Sequence, residues 1–119
     1  MIDIAAERAR AGELLDRAEL GDGWREEPAI PDPASIGALD GFRWFSPERQ
    51  ARLNVYVFDH VQRAMVAGEM LVEMIDAEPY HARAAVNGGL LCVGVAELAS
   101  PESRRAVDAA LAAFASDEG

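Results

Sequence analysis

Apolar positions recur along this chain in two rhythms. Between residues 3 and 20, Ile4, Ala11, Leu14, Leu15 and Ala18 fall on one face at helical spacing, with Glu7, Arg10, Glu13 and Arg17 largely opposite. Asp3 stands where a carboxylate caps first-turn amides, and Gly21 where a helix stops. Residues 42–46 (FRWFS) and 52–58 (RLNVYVF) then switch to a period of two, with Leu53, Val55 and Val57 on one face and Asn54, Tyr56 and Phe58 on the other. With Pro47 and Glu48 starting a turn between them, the pair predicts a hairpin.

Helical spacing returns over residues 60–77, behind Asp59 as the expected cap. Val61, Ala64, Met65, Gly68, Leu71, Val72 and Ile75 form an apolar stripe, and Val66, Met70 and Met74 a second one beside it. One sheet face does not cover so wide an apolar surface. Either the first helix packs on the second stripe, or Val66, Met70 and Met74 form a two-fold dimer interface; methionine adapts readily to such a contact.

Residues 81–86 and 90–97 predict a second hairpin around Asn87-Gly88, two residue types that tolerate the positive φ of a tight turn. The run LLCVGVAE is apolar on both faces and predicts a central strand. Ser100, Pro101 and Glu102 open a last helix, with Ala106, Val107, Ala110, Leu111 and Phe114 facing inward.

The chain thus reads as a single α+β domain of order α-ββα-ββα. It has a helix over 3–20, a Pro-rich loop over 21–41 and two ββα units over 42–77 and 81–116. Strand pairs followed by helices imply an antiparallel sheet of four to five strands with helices packed mainly on one face. The loop holds Pro28, Pro31 and Pro33, and Trp24 is expected to pin it.

Composition narrows the chemistry. The 119 residues, half of them hydrophobic, suffice for one core. All 11 bases are Arg, against 21 acids, for a net charge of −10. Without Lys there is neither a Schiff-base nor a P-loop lysine. The negative charge opposes nucleic acid and anionic membranes as partners. Residues 29–58 are the exception, with three acids balanced by three bases. No apolar run is long enough for a membrane span, and the acidic N-terminal helix is unlike a signal peptide. A lone cysteine, Cys92, fits a reducing compartment, so a cytoplasmic location is expected. The Lys-free, Ala- and Arg-rich usage suggests a GC-rich bacterial genome.

No catalytic or metal-ligating motif is present, and no cofactor is expected. His60 and His81 flank the middle helix roughly a helix length apart, too far to converge on one metal. Cys92 reads as a buried structural thiol. Glu69, Glu73 and Asp76 read as the solvated face of their helix.

Aromatic clustering is the most suggestive feature. Six of the eight aromatic residues lie between 24 and 58, interleaved with Arg43, Arg49 and Arg52. Aromatic residues and Arg dominate binding hot spots, because they bury much area and keep a polar handle. Trp24, Arg43, Trp44, Phe45, Arg52 and Tyr56 are therefore the candidate binding residues. Strand alternation forbids Phe42, Trp44 and Ser46 from sharing a face with Arg43 and Phe45, so one face looks outward or into a partner.

At the level of plan alone, the small size, acidity and element order resemble type III secretion chaperones and related sheet-plus-helix dimers. The long Pro-rich loop departs from that plan. The resemblance implies a dimer that holds another protein. The expected function is a non-enzymatic protein-binding module, homodimeric, with a small-molecule-binding domain or a secretion-chaperone-like dimer as alternatives. An enzyme would have to share a site across a dimer through Asp59, His60 or His81.

Overall fold

The computed structural model describes residues 2–97 and 99–115; Ser116, the last residue of the expected second ββα unit, lies outside the described residues. The elements run α1 (Ile4–Asp16), β1 (Arg25–Glu27), a short 3-10 helix (Pro33–Ile36), β2 (Asp40–Ser46), β3 (Ala51–Val57), α2 (Val61–Ile75), β4 (Tyr80–Asn87), β5 (Leu90–Glu97) and α3 (Pro101–Ala115). The five strands form one antiparallel sheet in the order β1-β2-β3-β5-β4. The expected α+β architecture is present, with β5 inside the sheet.

Two helices share one face. Ala11, Leu14 and Leu15 of α1 and Val107, Ala110, Leu111 and Phe114 of α3 pack on Leu53, Val55, Val57, Leu90 and Cys92. The middle helix lies across the other face, where Ala64, Ala67 and Leu71 meet Tyr56, Leu91 and Val93 beside Ala29 of the Pro-rich loop. Both layers sit close to the sheet because glycine leaves room. A Cβ on Gly94 would come within 2.5 Å of Val107 Cγ1, and one on Gly68 within 2.9 Å of Leu91 Cδ1. α3 is tied down at its start by the buried Ser103 hydroxyl, which accepts from Glu97 N at 3.0 Å and donates to the Gln50 carbonyl at 2.9 Å.

Three departures from the sequence pattern have local causes. The Pro-rich stretch carries a fifth strand, β1, in which Arg25 lies opposite Phe45 and Glu27 opposite Arg43. Three polar residues ending at Pro28 have no alternation to read. The order is therefore α-βββα-ββα, and the loop is shorter than expected. The first helix stops at Asp16, short of residue 20, where the chain turns through a positive φ at Glu19 and the Leu20 carbonyl accepts from Trp24 Nε1 at 3.4 Å. The cap of α2 is His60, not Asp59. His60 Nδ1 accepts from Gln62 N at 3.1 Å, while Asp59 pairs with Arg63.

The Pro-rich loop is pinned at two places: Trp24 packs its start against the larger core cluster, and Tyr56 holds its middle. The fully buried Tyr56 hydroxyl donates to the Pro31 carbonyl at 2.8 Å, holding the loop over β3. Burial pushes this phenol up to about 12; the Arg43 guanidinium pulls the other way and the Asp32 carboxylate adds to the rise. No helix among the described residues is long and apolar enough to cross a membrane.

Candidate functional site

α2 covers only the β5–β4 half of its sheet face, and the strands β1, β2 and β3 extend beyond it. Register fixes what they present there. One row across the sheet reads Arg25, Phe45, Arg52, Val95 and Ala82; the next reads Glu27, Arg43, Asn54, Val93 and Ala84. The α2 helix lies over the far ends of both rows. The near ends carry three Arg residues and one aromatic ring.

Two kinds of partner hold these cations. Arg43 is neutralised by Glu27, with Nη2 at 2.6 Å and Nε at 3.2 Å from the same Oε1. Arg52 has no ion pair among the described residues; its guanidinium lies 5.0 Å from the Phe45 ring and 5.8 Å from the Tyr80 ring. Arg25 approaches the Phe45 ring at 5.8 Å. Cations and rings thus alternate as Arg25, Phe45, Arg52, Tyr80, and a cation–π contact leaves the guanidinium's hydrogen-bond donors unspent.

A recess of about 210 Å³ opens between this ladder, the end of α2 and the Pro-rich loop, lined by Arg43, Arg52, Asn54, Tyr80, Ile30 and Ile75 over Val95. Asn54 is 3% exposed, and its Oδ1 is the buried side-chain polar atom that lacks a partner among the described residues. Its neighbours along β3, Leu53, Val55 and Tyr56, are ordinary core residues.

The six residues expected to bind together do not form one surface. Arg43, Phe45 and Arg52 share the open face. Tyr56 is on that face but wholly covered by the loop it pins. Trp44 points to the α1 side, where it and Trp24 pack against the larger core cluster and line a separate recess of about 340 Å³ with Leu15 and Leu20. Trp24 there carries the Arg49 guanidinium 5.7 Å from its ring. Pleat alternation separates Trp44 from its two neighbours. Asn54, Tyr80, Ile30 and Ile75 escaped the sequence reading because four different segments deliver them. A lone amide within an apolar strand was the available signal.

A second surface is the outward side of α2. The buried seam is Ala64, Ala67, Gly68 and Leu71. Val61 and Met65, expected in the inward stripe, are 40% and 51% exposed, because small residues make the closest contact and turn the larger ones out. Val66, Met70 and Met74 are exposed as well, and α1 lies on the opposite face of the sheet, so it does not cover them. Grooves flank the helix on both sides. One of about 720 Å³ runs along β4 between Val61, Met65, Val72, Ala84 and Val86, and one of about 370 Å³ lies between Val66, Met70, Phe58 and Ile36.

The remaining chemistry-bearing residues are occupied structurally. His60 caps α2, and His81 Nδ1 sits 3.2 Å from Asp76 Oδ1, which also accepts from Ala82 N and so belongs to the α2–β4 turn. Cys92 is fully buried, which pushes its thiol up to about 12. Among the described residues no three His, Cys, Asp or Glu side chains group as metal ligands. Comparison with protein-family models, with curated proteins and with solved structures gives no match.

Proposed function

We propose that this chain is a non-enzymatic protein-binding module that works as a homodimer, with the outward side of α2 as the contact between copies. One observation carries the reading. Of the eight exposed large hydrophobic side chains among the described residues, five lie on α2: Val61, Met65, Val66, Met70 and Met74. Scattered apolar side chains need no explanation, but these line the two flanks of one helix, Val61 and Met65 along the β4 groove and Val66 and Met70 along the other, and such grouping marks an interaction surface. A helix is a simple two-fold element, since the same stripe meets itself. The grooves on either side offer its ridge a place to interdigitate. Dimerisation through α2 leaves the β1–β2–β3 half of the sheet open for a partner, where Arg25, Phe45 and Arg52 suit an acidic or apolar segment.

Light scattering during gel filtration tests this. The expected particle is twice the 12.8 kDa chain mass, and the double variant Val66→Asp, Met70→Glu is expected at the single-chain mass with unchanged far-ultraviolet circular dichroism. A wild-type particle of one chain at about 100 μM, a concentration that populates even a weak dimer with a micromolar Kd, overturns the reading.

A second reading, a small-molecule-binding domain, is favoured by a separate observation. Among the described residues, the buried amide oxygen of Asn54 lacks a partner and the Arg52 guanidinium beside it has no counter-ion.

A further inference from the structure

The geometry points to the recess at Arg52 and Asn54 as a binding site for a carboxylate carried on a small apolar body. This deepens the small-molecule reading and rests on the recess alone; association through α2 neither supports nor removes it. The chain as a whole carries a net charge of −10, which repels anions at long range. A site that attracts one must therefore be built locally.

Three features build it. Arg52 lies between the Phe45 and Tyr80 rings with no carboxylate on it among the described residues, so its fork of donors is unspent. Arg43 stands on the same face two residues from Phe45, its charge already balanced by Glu27, so the recess offers one net positive charge rather than two. A single carboxylate fits that balance better than a phosphate does. Asn54 is 3% exposed with Oδ1 unpaired. A buried amide without a partner costs about 1–3 kcal/mol, and an apolar side chain there would be better for folding alone. An amide at this position is explained if it serves a ligand, whose own N–H or O–H reaches Oδ1 or whose carboxylate takes the amide N–H.

Shape and lining set the rest of the ligand. Ile30, Ile75, Val95 and the Tyr80 ring supply the apolar part of the lining. The volume of about 210 Å³ is on the scale of a small acylated amino acid. The same chemistry is available from two sources, a free organic acid or the C-terminal residue of a peptide.

N-acetyl-leucine is a suitable probe, with N-acetyl-leucinamide as its uncharged counterpart. In ¹H–¹⁵N spectra of the full chain, N-acetyl-leucine is expected to shift the Arg52 Nε–H and Asn54 side-chain amide signals. The amide counterpart should leave them in place at the same concentration. Arg52→Gln should weaken binding at least about tenfold, and Arg52→Lys, which keeps the charge and loses the stacked fork, by less. A hexapeptide ending in a free leucine that binds at least about tenfold tighter than N-acetyl-leucine identifies a peptide terminus as the source; equal binding identifies a free acid. Circular dichroism on each variant separates loss of binding from loss of fold. No shift at either signal at about 10 mM N-acetyl-leucine, a concentration that detects even millimolar affinity, overturns the proposal. Equal shifts with the uncharged amide, or undiminished binding by a folded Arg52→Gln variant, overturn it as well.

Discussion

The Arg52 guanidinium lies 5.8 Å from the centre of the Tyr80 ring, although the two residues belong to strands separated by β5. Arg52 stands opposite Val95, and Tyr80 is opposite Glu97, one step further along the same face. The pair therefore closes over Val95 and forms one wall of the recess. On its other side Arg52 meets Phe45, its direct cross-strand neighbour.

This contact is expected to be measurable without being large. A double-mutant cycle of Arg52→Gln and Tyr80→Leu, read by urea unfolding, should return a coupling of about 0.5–1 kcal/mol, the range of partly exposed cation–π pairs. A coupling of zero would mean that the two side chains are neighbours without holding each other.

Asn54 gives the opposite kind of prediction. Replacing it with leucine removes a buried, unpaired amide and fills the space with carbon. Asn54→Leu should therefore raise stability by about 1 kcal/mol, or roughly 4 °C in Tm for a domain of this size, while abolishing carboxylate binding. Stability and binding moving in opposite directions is what a side chain kept for a ligand does. A loss of about 2 kcal/mol on that substitution would assign Asn54 a structural bond instead.

Ser103 carries two long-range bonds through one hydroxyl, to the backbone of β5 and to the β2–β3 turn. Ser103→Ala leaves both the Glu97 N–H and the Gln50 carbonyl without that partner. The expected cost is about 2–3 kcal/mol, seen as a lower urea midpoint with an unchanged slope. Ser35→Ala, at an exposed hydroxyl in the loop, should shift the midpoint by less than about 0.5 kcal/mol and serves as the control.

Alkaline pH should unfold the protein through two buried acids. Tyr56 and Cys92 ordinarily lose protons near 10.0 and 9.0, and burial raises both to about 12. Between those limits the unfolded chain gives up protons that the folded chain retains. The contribution of these two groups to stability is therefore constant below about pH 9 and falls as pH rises toward 12. Cys92→Ala should remove the early part of that decline and Tyr56→Phe the later part, as read from urea midpoints at stepped pH. A decline unchanged in both variants would place the alkaline sensitivity elsewhere.

The amino-acid order by itself determined the periodic elements. Period-two alternation marked β2 and β3, Asn87-Gly88 marked the β4–β5 turn, and unbroken apolarity marked β5 as internal. These signals are local: each depends on the spacing of side chains along one strand or helix. The even charge of residues 29–58 and the clustering of aromatics with Arg also pointed to the half of the chain that holds Arg43, Phe45 and Arg52.

Tertiary structure decided what lies outside those local rhythms. β1 is three polar residues with no pattern, and it becomes a strand only because β2 offers an edge to pair with. Trp44 was separated from Arg43 and Phe45 by the pleat, and Tyr56 was buried by a loop that the sequence left unplaced. The outward turn of Val61 and Met65 followed from which of the small residues, Ala64, Ala67 or Gly68, came nearest the sheet. Above all, the recess is assembled from β2, β3, the loop, the end of α2 and the start of β4. Juxtaposing residues as far apart as Ile30, Asn54 and Tyr80 is a property of strand order and crossing helices, and no spacing along the chain encodes it.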